Sequence, residues 1–314
     1  MTDVAHQHDY RPVPGTAHGP EIPEEGYVLE EIGDGLFWLA DGFYQMMFLV
    51  TDDGVVAVDA PPTLGQNIPR AIRKVTKADV THAVYSHAHA DHVGAMVIYE
   101  GAELYAQQEA AHLLARDSDP HRPLPTHTFA DTLTLGVGGR TLQLDYHGPN
   151  HSPGNVFIYA PEQKTLMLVD VVFPGWVPFG CLAVSQDIPA WIAAPAKALE
   201  YPFEQFVGGH LNRLGTRQDV ATHQEFVADL KAESERAIDT FDLMSVFATA
   251  DPANLWAIFR RYLDGVCADI ADALVPRWQE RLGGVDVFTD LNAFTMVESL
   301  RLDYGHLGPF GIRD

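Results

Sequence analysis

Short apolar segments alternate with turn residues along the first part of the chain, and this pattern predicts β-strands. The predicted strands are YVLEEI (27–32), LFWLA (36–40), MMFLV (46–50), VVAVDA (55–60), THAVYS (81–86) and ELYAQ (103–107). Segments with helical spacing lie between or after them, at IPRAIRKVTK (68–77), VGAMVIYEG (93–101) and QEAAHLLAR (108–116). Strands interleaved with helices in this way indicate an α/β layered fold.

The middle of the chain predicts two β-hairpins and one further strand. The hairpins are TLTLG with TLQLDY (132–146) and VFIYA with TLMLVD (156–170), and the strand is FEQFV (203–207). After about residue 215 the pattern changes to amphipathic helical spacing, in the segments 218–238 and 253–282. We expect Trp256 and Trp278 to pack there. The predicted divisions of the chain are an irregular N-terminal arm (1–24), an α/β domain (25–225) and a helical C-terminal extension (226–314).

Composition and charge exclude several classes of protein. The 43 acidic residues outnumber the 20 basic ones, for a formal net charge of −23, so the basic surface that nucleic-acid binding requires is missing. No segment approaches the roughly 18 apolar residues of a membrane span, and the N-terminus does not resemble a secretory signal. Two cysteines, Cys181 and Cys267, are too few for a disulfide framework. We therefore expect a cytoplasmic protein with free thiols, a small-molecule substrate and no nucleic-acid or membrane partner. A homodimer is compatible with these features.

The segment SHAHADH (86–92) concentrates the groups His87, His89, Asp91 and His92, all of which bind metal ions. His87 and His89 are two positions apart, so their side chains share one side of an extended strand end. The aspartate and the last histidine follow in a turn, where adjacent side chains point in different directions. One short segment can therefore supply ligands to two neighbouring metals. A chance cluster of polar loop residues is the alternative interpretation.

Three later residues provide further ligand types just after apolar segments. His151 lies in the loop HGPNHSPGN, Asp170 ends the strand TLMLVD, and His210 follows a glycine pair after FEQFV. Binding and catalytic residues are concentrated at strand ends and in loops. Each residue alone is also explained as a loop histidine, a strand-ending aspartate or a helix-capping histidine. As a set, they can complete two metal sites.

SHAHADH, HSPG, LMLVD and GGH, in this order, resemble the ligand motifs of the metallo-β-lactamase-fold hydrolase superfamily, over residues 27 to about 225. The resemblance implies an αββα sandwich, in which two mixed sheets face each other with helices outside and the metals at one edge. It also implies that Asp170 bridges the metals and that Asp59 in VVAVDA supports the site. The implied ligands are His87, His89 and His151 for one metal and Asp91, His92 and His210 for the other.

The same resemblance implies a hydrolytic mechanism with two metals, zinc first and iron or manganese as alternatives. A bound metal lowers the pKa of water from 15.7 to about 7, and a hydroxide held between two metals can attack a carbonyl that one of them polarises. The second metal would stabilise the leaving oxygen, nitrogen or sulfur. Asp91 or Asp170 would then carry the proton to the leaving group, which makes these two aspartates the candidate catalytic residues.

The bond that is cleaved is an ester, lactone, thioester or amide, and a lactonase or esterase is favoured. Acyl-homoserine lactonases resemble this ligand pattern, but they have a tyrosine three residues after the aspartate, where this chain has Phe173. A β-lactamase is an alternative, although many of those use a cysteine where Asp170 stands. The other alternative is a mononuclear iron oxidoreductase of the same fold, similar to persulfide dioxygenases, which uses fewer of the ligands.

Aromatic residues near Asp170 predict an apolar substrate pocket, because ligand pockets are mostly apolar with a few polar anchors. The predicted pocket residues are Phe43, Phe173, Trp176 and Phe179. An apolar small-molecule substrate follows from this interpretation. Packing of these aromatics under the C-terminal helices is the alternative, and we expect those helices to shape one wall of the pocket.

We predict that His121 and His127 are not metal ligands, because the proline-rich segment DSDPHRPLPTHTF (117–129) has no strand end to present them. The double variant His121→Ala, His127→Ala should keep the metal content of the unchanged protein, measured by elemental analysis. Loss of metal from a folded double variant would overturn the assignment.

Overall fold

The computed structural model describes residues 10–248 and 250–311, so residues 1–9 of the predicted arm lie outside the described residues. The strands are β1 (Val28–Gly33), β2 (Leu36–Ala40), β3 (Gln45–Thr51), β4 (Gly54–Val58), β5 (Val80–Val84), β6 (Glu103–Gln107), β7 (His127–Phe129), β8 (Thr132–Val137), β9 (Arg140–Asp145), β10 (Phe157–Ala160), β11 (Thr165–Met167) and β12 (Gln205–Val207). The helices are α1 (Asn67–Val75), α2 (Ala90–Val93), α3 (Gln108–Asp117), α4 (Gly180–Val184), α5 (Ile188–Ala198), α6 (Arg217–Thr240), α7 (Leu243–Phe247), α8 (Leu255–Trp278) and α9 (Val285–Leu302). Short 3-10 helices cover Gly15–Ala17, Met96–Tyr99 and Gly308–Phe310.

The first sheet contains β1 to β7 in sequence order. Strands β1 to β4 form an antiparallel meander, and β4 to β7 are parallel. Parallel neighbours need crossover connections, and helical segments including α1, α2 and α3 supply them. Both faces of the sheet are buried, as β3 illustrates: Met46 and Phe48 belong to the core under the helices, whereas Met47 and Leu49 belong to the core between the sheets.

The second sheet has the order β12-β11-β10-β9-β8 and packs its inner face against the first sheet. Ile158 and Met167 of this sheet share one buried core with Trp38 and Val56 of the first sheet. On the outer face, Phe157 stacks on Tyr201, just after α5. The molecule therefore contains the αββα sandwich predicted from the sequence, and the helical C-terminal region is also confirmed.

The helix predicted at 93–101 is wrong as a single element. Helix α2 ends at Val93, and a separate 3-10 turn follows. Where the helix is interrupted, its backbone is hydrogen-bonded to Ala60, which follows β4. Ala60 N donates to His92 O (2.9 Å), and Ala95 N donates to Ala60 O (3.0 Å). The segment after β4 thus takes up backbone groups that a continuing helix would need for its own i→i−4 hydrogen bonds. This contact also attaches the SHAHADH segment to the end of β4.

The chain divides into two compact units, both discontinuous in sequence. The sheet unit comprises residues 19–174 and 183–227 and contains both sheets. The helical unit comprises the described residues within 1–18, 175–182 and 228–314. The three-part division of the chain predicted from the sequence stays a prediction.

Within the helical unit, Trp278 is buried and donates its indole N–H to Asp229 (3.0 Å), as expected for a packing residue. The same expectation is wrong for Trp256, which is 82% exposed in the first turn of α8. Both cysteines are free thiols. Among residues 10–248 and 250–311, every helix lacks either the length or the apolarity that a membrane crossing requires.

The turn α4 has a rare backbone conformation. Cys181, Leu182, Ala183 and Val184 all have φ between 51° and 61°, so the turn is left-handed. For residues with a Cβ atom this conformation costs roughly 1–2 kcal/mol each. In the helical unit, the Asn292 side chain accepts from Leu182 N (2.8 Å) and donates to Pro178 O (2.9 Å). These two hydrogen bonds help to hold the strained turn.

We predict that His223, a buried residue of α6, makes the fold sensitive to acid. Burial lowers the pKa of His223 to about 3, whereas the ordinary value is 6.5. Between these values the unfolded chain binds a proton that the folded chain does not, so stability falls as the pH falls below 6.5. At one pKa unit per 1.36 kcal/mol, the penalty is about 2 kcal/mol at pH 5.

The variant His223→Leu should therefore gain about 2 kcal/mol relative to the unchanged protein between pH 7.5 and pH 5, measured by urea unfolding of the metal-free chains. His112→Leu, on the exposed side of α3, is the control for loss of a histidine. An identical pH dependence for His223→Leu and the unchanged protein would contradict the prediction.

Candidate metal centre

The SHAHADH segment runs from the end of β5 into α2, and a buried aspartate anchors its start. Asp59 follows β4 and is fully buried, which raises the pKa of its carboxyl to about 6. Its Oδ1 accepts a hydrogen bond from Ser86 N (2.8 Å), and the Ser86 hydroxyl lies 2.9 Å from His87 Nδ1. The ends of two parallel neighbours, β4 and β5, thus orient the first histidine of the segment.

The first cluster consists of His87, His89, His151 and Asp170, whose ligand atoms all lie within 4.8 Å of one another. His151 Nε2 is 2.8 Å from His89 Nδ1 and 3.1 Å from Asp170 Oδ2. His87 Nε2 is 3.5 Å from the same carboxylate oxygen. This cluster is almost completely buried, with His89 its most exposed member.

The second cluster consists of Asp91, His92 and His210. His92 Nε2 lies 3.1 Å from His210 Nε2, and the Asp91 carboxylate lies 3.5 Å from His92 and 3.8 Å from His210. The His92 side chain is completely buried, but the Asp91 side chain is 43% exposed. The second cluster is therefore open to solvent at Asp91.

Asp170 connects the two clusters. Its Oδ2 is 3.3 Å from His92 Nε2 in addition to its contacts in the first cluster, and its Oδ1 is 2.9 Å from His210 Nε2. The residue adopts a left-handed φ of 62°, which is unfavourable for a side chain. The Trp191 indole N–H donates to Asp170 O (3.0 Å) and helps to hold this conformation.

A buried amide network fixes His151 relative to Asp170. Asn150 Oδ1 accepts from His151 N (2.6 Å) and from Asn155 Nδ2 (2.8 Å). Asn155 Nδ2 also donates to Val169 O (2.9 Å), directly before Asp170. The Asn155 side chain therefore links the loop that carries His151 to the strand end that carries Asp170.

The donor set fits metal ions. His87 Nε2 is buried and has no hydrogen-bond partner within residues 10–248 and 250–311. The ring nitrogens of His89 and His151 face each other, as do those of His92 and His210. One proton satisfies only one nitrogen of such a pair as donor, whereas a cation binds both lone pairs. Five imidazoles and two carboxylates converge in this way.

The electrostatics of the site favour positive charge around Asp170. Burial lowers the pKa of His87 far below its usual range and that of His89 to about 4, so both rings are neutral ligands at pH 7. Burial also disfavours charge on His92, but the carboxylates of Asp170, Asp91 and Asp59 together outweigh it and raise the pKa of His92 to about 9. Burial opposes ionisation of Asp170, yet the neighbouring histidines hold its pKa well below 3.8.

The predicted pocket residues lie in different parts of the structure. Phe173 is buried and its ring is 5.7 Å from that of His210, nearly parallel to it. Phe43 is 71% exposed. It directly precedes Tyr44, whose backbone forms an isolated antiparallel β-bridge with His210. Trp176 and Phe179 belong to the helical unit, where Trp176 donates to Ala17 O (2.9 Å). Their assignment to a substrate pocket stays a prediction.

Tyr44 is a site residue that sequence reasoning missed. Its ring lies 5.3 Å from the His92 ring and 4.7 Å from the His210 ring. Burial, followed by the charges of Asp91 and Asp170, raises the pKa of Tyr44 to about 12, so the phenol is protonated at neutral pH. The sequence did offer a signal: Tyr44 is a polar aromatic residue directly after Phe43, the one residue of DGFYQMM (41–47) that was predicted to line the pocket.

His121 and His127 lie outside both clusters. The structural reason given for His127 is wrong in one respect: it is the first residue of β7, so a strand does present it. Its side chain is 48% exposed and pairs with Glu103, with 3.2 Å between His127 Nε2 and Glu103 Oε2. His121 is 70% exposed and lies 3.2 Å from Asp119.

The fold and the clusters define a class: an αββα protein with histidine and aspartate side chains gathered at the ends of its strands. Residues 40–199, just over half of the chain, match the family model of the metallo-beta-lactamase superfamily. The chain belongs to this superfamily.

Several known proteins are similar to the chain. The 2,4-dinitroanisole O-demethylase subunit alpha of Nocardioides sp. (strain JS1661) is 26% identical, over 96% of this chain and 85% of that protein. The acyl-coenzyme A thioesterase MBLAC2 of Bos taurus is 24% identical, over 72% of this chain and 95% of that protein. The solved structure of a metallo-beta-lactamase from Pontibacter korlensis superimposes with a TM-score of 0.56 and 22% identity, over 63% of this chain and 97% of that chain. The last likeness concerns the fold alone.

We predict that Asp170→Ala reduces bound metal from about two ions to about one per chain and removes nearly all turnover, because one carboxylate offsets the charge of both ions. Elemental analysis after dialysis measures the metal content. Asp145→Ala is a matched control, since Asp145 is also buried but binds Gln143 and Tyr201 instead of the clusters. Unchanged metal content and activity in folded Asp170→Ala would refute the bridging role.

Proposed function

We propose that the protein is a hydrolase that uses two divalent cations to cleave an acyl bond, with an ester or lactone favoured over a thioester or amide. The observation that carries this proposal is the position of Asp170, whose two carboxylate oxygens reach histidines of both clusters. A carboxylate that reaches both clusters would suit a pair of neighbouring cations. The thioesterase among the similar proteins supports an acyl substrate.

Zinc is the cation we favour, because imidazole nitrogens and carboxylate oxygens are its usual ligands; iron and manganese accept the same donors. Bound here, two cations would lower the pKa of a water from 15.7 to about 7 and polarise the acyl oxygen. Asp170 would be shared between them. The proposed ligands are His87, His89 and His151 for one cation and Asp91, His92 and His210 for the other.

Asp91 is the residue we propose as the proton carrier to the leaving group. Its side chain is 43% exposed, whereas the Asp170 side chain is 6% exposed and surrounded by histidines. A group that exchanges protons with a departing atom must reach both that atom and solvent. Asp91 satisfies this requirement at the open side of the second cluster, where the protonated phenol of Tyr44 lies beside it.

An apolar acyl group fits the surroundings of His210. The Phe173 ring stacks on the His210 ring with 5.7 Å between their centres, and the centre of the Tyr44 ring lies 4.7 Å from that of His210. Phe43 adds an exposed aromatic surface next to Tyr44. Apolar walls around a few polar groups are typical of small-molecule sites.

A second candidate function is hydrolysis of an activated aryl methyl ether. It is favoured by one observation: the O-demethylase subunit aligns with 96% of this chain, so the likeness extends through the C-terminal helices. Activated water would bond to an electron-poor ring carbon, the bond from that carbon to the methoxy oxygen would break, and Asp91 would supply a proton to form methanol. The products are a phenol and methanol, and no oxidant is consumed.

A hydrolysis screen of the zinc-loaded protein tests the proposal. The panel is an aryl ester, a γ-lactone, an acyl-coenzyme A thioester, a penicillin and 2,4-dinitroanisole. We predict turnover of at least one acyl substrate and a loss of about 10²-fold or more for Asp91→Asn, since general acid–base groups contribute about 10²–10⁴-fold. Asp34→Asn, an exposed aspartate paired with Arg140, is the control.

Methanol release from 2,4-dinitroanisole without acyl turnover would favour the second candidate. In ¹⁸O-labelled water the label would then enter the phenol. Turnover of the penicillin alone would identify a β-lactamase. One iron per chain, with no hydrolysis of any compound, would overturn the proposal in favour of the iron oxidoreductase class.

A further inference from the structure

We propose that Gln45 is a positioning residue that holds His210 in place and thereby sets the affinity of the second metal site separately from that of the first. The inference rests on the metal centre of the proposed function, but it does not depend on which bond is cleaved. It concerns a side chain that contributes no ligand atom. Its basis is the hydrogen bonding of one buried amide.

Gln45 is the first residue of β3 and is completely buried. Its Nε2 donates to His210 O and to Arg213 O (3.3 Å), and its backbone N–H donates to Gly209 O (2.7 Å). Its Oε1 accepts from the buried Trp38 indole (2.9 Å), which fixes the orientation of the amide. All of these groups belong to the sheet unit. The Gln45 side chain therefore adds two hydrogen bonds to the backbone contacts that attach the His210 segment to the first sheet.

The His210 segment needs such an attachment because a residue with positive φ lies on each side of the histidine, and one of the two is strained. Gly209 has φ 89° and Leu211 has φ 65°, and the second value is unfavourable for a residue with a Cβ atom. His210 lies beyond the end of β12, outside any regular element. Strained conformations persist only where surrounding contacts determine them. Gln45, together with the Leu211 N to Phe43 O hydrogen bond (2.8 Å), supplies those contacts.

The first cluster does not depend on Gln45. Ser86 orients His87, and Asn150 binds the backbone of His151, as described above. The second cluster differs because His210 enters it from a loop with a side chain that is 24% exposed. Loss of Gln45 should therefore loosen His210 and leave the ligands of the first cluster in place. Residues that orient metal ligands typically change metal affinity about 10–100-fold when replaced.

The variant Gln45→Met tests this inference, because methionine keeps an unbranched side chain of similar length but cannot form the hydrogen bonds of the amide. The full-length metal-free protein is titrated with Co²⁺ and with Zn²⁺ against a chromophoric chelator, without substrate. We expect the first equivalent to bind within about twofold of its affinity in the unchanged protein and the second to bind about 10–100-fold more weakly. His210→Ala defines the effect of losing the ligand itself.

Gln163→Met is the matched control. Gln163 is also buried, and its Nε2 also donates to a backbone carbonyl, Asp34 O (2.8 Å), but away from the clusters. This control should leave both affinities unchanged. If Gln45→Met does not fold, as judged by circular dichroism, Trp38→Phe replaces it, since it removes the indole donor that orients the Gln45 amide and leaves the amide itself in place. We expect a smaller loss in the same second site.

Unchanged binding of the second ion in a folded variant would overturn the inference, and so would equal weakening of both ions. A single ion in the unchanged protein would overturn it as well, whatever the outcome of the hydrolysis screen. If two ions bind with the selective loss described but none of the test compounds is hydrolysed, the positioning role stands and the proposed hydrolase activity fails.

Discussion

The site depends on one buried carboxylate. The Asp170 side chain is 6% exposed, and four imidazole nitrogens lie within 3.5 Å of its oxygens. A buried negative charge is strongly unfavourable unless positive charge or hydrogen bonds compensate it. The histidines hold the pKa of this carboxyl low, so the site is arranged for a charged carboxylate and for cations beside it. The strained φ of Asp170 is consistent with a position that the surrounding structure imposes.

The two clusters differ in how the fold supports them. Core strand ends and a buried amide network hold the ligands of the first cluster, which is closed to solvent apart from His89. The second cluster has an exposed member, Asp91, and a member on a strained loop, His210. A closed site suits stable binding of one cation, and a more open site suits substrate and proton exchange. The same asymmetry makes the second site the part of the centre that is most sensitive to its supporting residues.

The proteins similar to this chain share a fold but differ in the bonds that their names describe. A thioesterase, a β-lactamase structure and an O-demethylase subunit all align with it. The metal chemistry common to such a centre activates water whatever the substrate is. In the proposed function, substrate choice would therefore depend on groups around the clusters, and Tyr44 and Phe173 contact His210 in this chain.

The sequence by itself indicated most of the strands and the first ligand segment, because both are local patterns. Short apolar segments between turn residues predicted most of the strands, and SHAHADH carries four metal-binding groups within seven positions. The resemblance of the motifs implied that Asp170 is shared, and the tertiary structure places its two oxygens next to histidines of both clusters. Only the tertiary structure decided that Tyr44 and Gln45 lie against His210, 165 positions from Gln45. It also decided that α2 ends early and that Trp256 is exposed. The physical reason is that periodicity reports which residues are buried, whereas the meeting of two strand ends depends on how the sheets pack.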